Sequence, residues 1–324
     1  MRQNPYNIGR TKGISPRLKD KLKQLPTLKG REGRWFRRVL IGLGVIILAL
    51  ILVRFFKPET QLMSSVEIRR IESAGVLNVA VRDDMPCFCE NGVGFEAELA
   101  KLIAKRILPD SDEPVRLVPC SSTTVTTKLK DGSVDIAIAL QTSGQGSDYS
   151  YSYTYYSDKI ELVTLDAENV DKGLGELTVG YVTETAAGKK FASYVKELAA
   201  APEQGMIDRL LRRPKPTADP NTAVFVETKK YGSFDELIAA LKRGDIDAAV
   251  MTAAYVNKYF KVLAEQTEAP EWYLCAQDAG TVDYCVMCSS DEPALVQLAD
   301  MLIYELKESG ELGRLVQKYL SELP

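Results

Sequence analysis

The 324-residue chain contains no histidine. Ser-His-Asp and Cys-His nucleophile pairs are therefore excluded, as is any metal site with an imidazole ligand. Cysteine is scarce and unevenly placed: Cys87, Cys89, Cys120, Cys275, Cys285 and Cys288 are all there are. Arginine is missing altogether between Arg116 and Arg209. Acidic residues are nearly missing from the first 38 positions, where twelve Lys or Arg face only Asp20 and Glu32, a net +10. The remainder then carries −13 of the total −3, so tail and body face different surroundings.

After the tail comes an unbroken apolar run at 39–53, flanked by Trp35 and Phe36 before it and Phe55 and Phe56 after it. With Arg37, Arg38 and Arg54 snorkelling outward, its length approaches the roughly 20 residues that cross a bilayer as a helix. The exit L-V-R-F-F-K-P offers no small-residue cleavage site, and no cysteine lies just beyond it to take a lipid. The expected layout is a basic cytoplasmic tail at 1–38, a single-pass signal anchor at 39–56 and a linker at 57–65. The positive-inside rule places everything beyond that outside the cytoplasmic membrane. No recognisable nucleic-acid fold accompanies the basic tail, so its charge is assigned to topology.

The exported part repeats a phrase. L-K-D-G-S-V-D-I-A at 129–137 returns as L-K-R-G-D-I-D-A-A at 241–249, each a helix end closed by glycine and then a short apolar strand entered through aspartate. Two such units suggest two α/β lobes built alike, with a binding site between them. Helix and strand alternate around both. A short helix is expected over 64–74, strands at 77–82 and 115–119, and a helix opening at Gly94. Y-S-Y-S-Y-T-Y-Y-S at 149–157 reads as extended, and I-E-L-V-T at 160–164 as the passage between lobes. L-T-V-G-Y-V at 177–182 opens the second lobe, with Thr183 or Thr185 as a helix cap. Residues 200–221 read as an insertion, 223–226 as a strand and D-Y-C-V-M-C-S-S at 283–290 as a strand into the first lobe. Two helices close the chain.

In this order, A-G-V-L-N-V-A-V, G-F-E-A-E-L-A, G-S-V-D-I-A-I-A, V-G-Y-V, G-D-I-D-A-A-V and S-G-E-L-G-R-L-V-Q-K-Y resemble the type II periplasmic solute-binding proteins of the amino-acid ABC transporter class. The resemblance covers about residues 68–320. It implies an α/β two-lobed clamshell with two hinge crossovers, lobe 1 from 66–160 plus 279–324 and lobe 2 from 161–278. It implies no cofactor, no catalysis, a small-molecule ligand and an ABC transporter permease as partner. Family ligand contacts fall on loops after the strands, which here nominates Asp83, Asp84, Phe88, Ser121, Leu140, Gln141, Thr142, Ser143, Thr183, Thr185 and Thr252.

Two departures from that pattern narrow the ligand. The family holds the ligand carboxylate with an arginine shortly after the first G-x-V-D strand, where this chain reads Q-T-S-G-Q-G-S-D. The family's aspartate for the ligand ammonium is replaced by Thr252. Both departures argue against an ordinary α-amino acid, since a hydrogen bond to a charged group is worth about 1.5 to 3 kcal/mol. A small polar solute, amino-acid-like or an amine, is the leading expectation. For an amine, Asp83, Asp84 or Asp148 would form a cage with the tyrosines around Tyr151; otherwise those acids are solvated and the tyrosines pack the hinge. A binding fold turned sensor or envelope-assembly domain is the alternative, and a cyclohexadienyl-dehydratase-like enzyme a minor one, disfavoured by the arginine gap.

The even number of cysteines in an exported region predicts disulfides, with Cys87 or Cys89 to Cys120 and Cys275 to Cys285 or Cys288 as candidates. A zinc site from C-F-C and C-V-M-C is the sharper reading, but strand alternation would separate its sulfurs.

Overall fold

The computed structural model describes residues 41–47, 62–85, 87–199, 224–264 and 271–320. Residues 41–47 are helical and exposed. The rest of the expected anchor at 39–56 lies outside the described residues, as do the tail, most of the linker and the expected insertion. Among the described residues no helix is long and apolar enough to cross a membrane.

Residues 61–324 form a compact unit of their own. Its first sheet is built from β1 (Leu77–Val81), β4 (Val115–Pro119), β5 (Ile136–Ala137), β6 (Tyr149–Tyr151) and β13 (Met287–Ser289), in the order β4-β1-β5-β13-β6. The second is built from β7 (Tyr156–Thr164), β8 (Thr178–Val182), β9 (Glu227–Tyr231), β10 (Ala248–Thr252) and β11 (Tyr273–Leu274), in the order β11-β7-β10-β8-β9. A further strand, β12 (Thr281–Tyr284), pairs with β7. A small hairpin, β2 (Asp84–Met85) with β3 (Cys89–Glu90), stands beyond the end of β1. The chain passes between sheets twice, at 152–155 and at 285–286. These passages and the antiparallel β7–β12 pair make the hinge.

Helices cover the sheets on both faces, as parallel strands require. They are α1 (Val66–Ala74), α2 (Phe95–Ile107), α3 (Val125–Lys130), α4 (Ala186–Ala199), α5 (Phe234–Arg243), α6 (Ala253–Ala264), α7 (Pro293–Glu308) and α8 (Glu311–Tyr319). Alternation sorts the strand side chains. In β10, Ala248 and Val250 join the large core that continues through the hinge, whereas Ala249 and Met251 face Leu237 and Ile238 of α5. In β1, Leu77, Val79 and Val81 join the large core while Ala80 meets Val125 and Leu129 of α3.

Local signals place the helix ends. Ser65 and Ser233 cap α1 and α5 by accepting from the N–H groups of Ile68 and Glu236, at 3.4 and 3.2 Å. Gly244 closes α5 at φ 72°. Gly94 opens α2 at φ 144°, where a Cβ would stand 2.4 Å from the Phe88 carbonyl oxygen, so no other residue fits that approach.

Three expectations are corrected. The strand expected at 223–226 is instead β9, four residues on; E-T-K-K-Y pairs with the edge of β8, and its exposed lysines suit an unpaired outer edge. The single strand expected at 283–290 is instead the end of β12 and then β13, broken at 285–286 where the chain changes sheets. The expected disulfides are not formed: all six cysteines are free thiols. Four are turned onto nearby oxygens. Cys120 Sγ lies 3.3 Å from the Val81 carbonyl, Cys89 Sγ 3.5 Å from Asp83, Cys285 Sγ 3.5 Å from the Gln141 carbonyl and Cys288 Sγ 3.3 Å from the Glu292 carbonyl.

Candidate functional site

The ends of β1, β5, β8 and β10 meet at a cleft between the two sheets, with a cavity of about 140 Å³ lined from both lobes. This is where open α/β sheets place ligands, outside the carboxyl ends of their strands. The first lobe contributes Arg82, Met85, Ser122 and the wall segment Leu140, Gln141, Thr142 and Gln145. The second contributes Glu184, Thr185, Ala186, Ala187, Lys189, Phe234 and Thr252, and Tyr284 supplies the floor at the hinge.

Arg82 comes directly after β1 and its guanidinium donates to the Ser122 hydroxyl at 2.6 Å. The wall segment is held backbone-first. Leu140 takes φ 54°, a left-handed value that costs leucine energy, and its N–H donates to Glu96 Oε1 at 2.9 Å. The Gln141 carbonyl accepts the N–H of Cys285 at 2.9 Å, so the return crossing of the hinge is fastened to the wall. Gln145 closes the segment by donating to Gln141 Oε1 at 3.1 Å.

Opposite stands the amino end of α4. Thr185 caps it, accepting the Gly188 N–H at 3.0 Å while its hydroxyl donates to the Val182 carbonyl at 2.9 Å. A Cβ on Gly188 would come within 2.0 Å of that same carbonyl oxygen, so glycine lets the helix start this close to β8. The positive end of the helix dipole thus faces the cleft beside Lys189, which pairs with Glu184 at 3.6 Å.

Two buried carboxylates lie behind the walls. Glu96 on α2 accepts from the Tyr155 hydroxyl as well as from Leu140, and burial pushes its pKa up to about 7 against these bonds and Arg82. Asp158 on β7 accepts the Ala254 N–H at the start of α6 at 3.1 Å, and burial pushes its pKa up to about 6.

Of the residues nominated from sequence, Leu140, Gln141, Thr142, Thr185 and Thr252 line the cavity. Asp83, Phe88, Ser121, Ser143 and Thr183 do not. Asp83 accepts the Gly92 N–H at 3.0 Å to shape its own loop, and the Ser121 hydroxyl bonds Thr123 and Thr124. Phe88 is buried in a hinge cluster with Tyr156 and Tyr284, at ring distances of 6.0 and 5.7 Å. Tyr155 joins it against Phe95 at 5.9 Å. Tyr155 and Tyr156 thus pack the hinge, whereas Tyr153 is exposed and the Tyr151 hydroxyl accepts the Gln145 N–H at 2.9 Å; none of the tyrosines at 149–156 lines the cavity, and Asp148 is exposed. The side chain of Asp84 is outside the described residues. Sequence reasoning missed Arg82, Glu184 and Lys189. Their signal was position: Arg82 ends an alternating strand, and the other two flank a helix start.

The chain matches the bacterial extracellular solute-binding proteins, family 3, over residues 77–322, and it belongs to that family. Solved structures similar to it share its fold. The P235GK mutant of ArgBP from T. maritima is 21% identical, with a TM-score of 0.55 over 79% of this chain and 100% of that one. A solute receptor for L-cysteine of Neisseria gonorrhoeae is 20% identical, with a TM-score of 0.57 over 78% and 93%. The ancestral amino-acid-binding protein AncCDT-1, a precursor of cyclohexadienyl dehydratase, is 18% identical, with a TM-score of 0.57 over 78% and 99%.

Proposed function

We propose that the chain captures a small amino-acid-like solute outside the bacterial cytoplasmic membrane and delivers it to an ABC transporter permease. The segment at 39–56 tethers it as a single-pass anchor, with the basic tail in the cytoplasm. Capture occurs by closure of the lobes over the cleft, without catalysis.

The observation that carries the ligand class is Arg82. The missing arginine after the first G-x-V-D strand had argued against a carboxylate ligand. Arg82 restores a guanidinium to the same cleft from the end of β1, opposite the amino end of α4. A solute carboxylate between them meets a fork of donors on one side and helix N–H groups on the other. Glu184 and the Thr252 oxygen are the acceptors available to an amine at the solute's other end. An acid-bearing solute is thereby favoured over a bare amine.

A thermal-shift screen of residues 61–324 against amino acids, dicarboxylates, polyamines and sugars tests this, because a ligand that binds only the folded state raises the melting temperature by mass action. Stabilisation by acid-bearing solutes is expected. Stabilisation by polyamines alone would refute the assigned ligand class, and no stabilisation by any solute would refute capture itself.

A further inference from the structure

Two aromatic rings line the cleft, and each is fixed from behind by others. Tyr284 at the hinge meets Phe88 edge-on at 5.7 Å and stacks against Tyr155 at 6.5 Å. Phe234 in the second lobe stacks on Tyr255 at 4.1 Å with 20° between the planes, and Tyr255 stacks on Tyr259 at 5.8 Å and 9°. A row of nearly parallel rings therefore runs from the cleft out along α6. A carboxylate held by Arg82 and the start of α4 makes no use of it.

Phe234 owes its place to the helix that it opens. It begins the apolar stripe of α5 that continues through Leu237, Ile238 and Leu241. Those three are buried in the second-lobe core, whereas Phe234 is only half-buried. Side chains on a helix lean toward its amino end, so the ring of the first residue overhangs the helix start, and here it reaches the cavity. Stacking with Tyr255 takes up one face of that ring. What is left to the cleft is apolar surface that open lobes leave wet.

The rest of the lining suits an apolar group as well. Met85 and Leu140 face the same cavity from the first lobe, and a thioether packs well against a ring edge. The cavity volume of about 140 Å³ is close to the roughly 150 Å³ at which an apolar cavity admits benzene. Charge argues against the other group that seeks a ring face, an organic cation. Arg82 and Lys189 are cations, and Glu184, the single anion of the lining, already pairs with Lys189.

We propose that the solute carries an aromatic ring beside its carboxylate, and that this ring seats against Phe234 with Tyr255 and Tyr259 as a rigid backing. The proposal rests on the cleft being the ligand site, with Arg82 holding the acid. Closure of the lobes brings Met85 and Leu140 over the ring, which removes apolar surface of both solute and protein from water. Phe234 is then a specificity-determining residue, since the acid alone is common to many solutes.

Calorimetric titration of the full chain in detergent with L-phenylalanine, L-cyclohexylalanine, L-glutamate and L-arginine tests the seat. Cyclohexylalanine keeps the apolar bulk of phenylalanine and lacks its π face. L-Phenylalanine should bind tightest, about 2- to 12-fold tighter than L-cyclohexylalanine, the worth of an aromatic contact beyond the area it buries. Phe234→Leu should remove that margin, and Tyr255→Leu, which takes away the backing and keeps the ring, should reduce it. Equal binding of phenylalanine and cyclohexylalanine, tighter binding of glutamate or arginine, or a margin that survives Phe234→Leu would overturn the proposal and leave solute capture standing. The wild-type series decides the matter by itself if Phe234→Leu does not fold. Absence of binding by all four would overturn the ring seat too, whereas only a blank in the wider solute screen bears on capture.

Discussion

Asp135 and Asp247 make the same contacts in the two lobes. Each accepts a backbone N–H with Oδ2 at 2.7 Å, from Asn78 and Thr178, and each gives its own N–H to the carbonyl of that same residue at 2.8 Å. The aspartate of each repeated phrase thus ties the start of its strand to the start of the lobe's first strand. Asp135 is buried and also pairs with Arg70 at 2.8 Å.

Replacing either aspartate by alanine leaves a strand N–H without its charged acceptor, a loss of about 1.5 to 3 kcal/mol. Urea unfolding of residues 61–324 should show both variants destabilised in that range, with the asparagine variants, which keep one acceptor oxygen, retaining part of it. Arg70→Ala should cost less than Asp135→Ala, because Arg70 is half exposed and the backbone tie survives. Equal losses for Arg70→Ala and Asp135→Ala would show that the ion pair, and not the backbone tie, is what the aspartate supplies.

Folding raises the pKa of Glu96 from 4.5 to about 7 and that of Asp158 from 3.8 to about 6. The folded state therefore holds these protons more tightly than the unfolded chain. Their contribution to stability is fully present below about pH 4 and is lost as pH rises through about 6 and then 7. Between about pH 5.5 and 8, Glu96 alone should remove about 2 kcal/mol. Denaturant unfolding at those two pH values should show the wild type losing stability on the alkaline side, with Glu96→Gln losing about that much less. An identical pH slope in the variant would place the Glu96 pKa in the ordinary carboxylate range.

The thiols give a separate test. Burial pushes Cys89, Cys285 and Cys288 up to about 12 and Cys275 to about 11, so almost no thiolate forms near neutrality. Iodoacetamide should label these four slowly in the folded protein. Mass spectrometry after unfolding without reductant should find all six cysteines alkylated. Any pair protected until reduction would show that a bridge forms in the exported domain.

Much of the fold was legible because its signals are local. A helix end, a glycine at left-handed φ and an aspartate three residues on are read from neighbours in the chain, and they mark β5 and β10 correctly. The strand misplaced at 223–226 failed for the complementary reason. A-V-F-V carries the apolar pattern, but pairing to β8 selects E-T-K-K-Y, a tertiary choice that overrides propensity. The site was legible where the repeat reaches it, at Leu140, Gln141, Thr142 and Thr252, and at the capped helix start, at Thr185. Arg82 was hidden by the search for a cation after β5 and by its place in the expected strand 77–82, one residue before the loop nominated after β1. Glu96, on an amphipathic helix, and Asp158, in a polar stretch, carry no sequence mark of the burial that the hinge aromatics give them.

Gly188 is the position at which lobe 2 shapes the cleft by size alone. A methyl group there would collide with the Val182 carbonyl, which is backbone and cannot turn away. Gly188→Ala should push the start of α4 off β8, at a cost of about 1 to 3 kcal/mol. It should also weaken whatever stabilisation an acid-bearing solute gives, because the helix N–H groups retreat from the cleft. Gly313→Ala on α8, where a Cβ meets nothing, is the control and should be neutral or slightly stabilising. Retained solute affinity in a destabilised Gly188→Ala would show that the α4 terminus is structural and makes no contact with the ligand.

Arg82 is predicted to discriminate by geometry as well as charge. Its guanidinium already gives one N–H to Ser122, which orients the fork toward the cleft. Lysine keeps the charge but lacks the planar pair of donors, so Arg82→Lys should lose most of the affinity for a carboxylate that Arg82→Ala loses. Losing a charge-assisted bond of about 1.5 to 3 kcal/mol weakens binding roughly 10- to 150-fold. Calorimetric titration with the best acid-bearing solute from the screen measures it. Ser122→Ala should weaken binding less, because it removes one anchor of the guanidinium and leaves the guanidinium itself in the cleft. If Arg82→Lys instead binds as tightly as the wild type, the cleft reads charge alone and the fork has no role in selecting the solute.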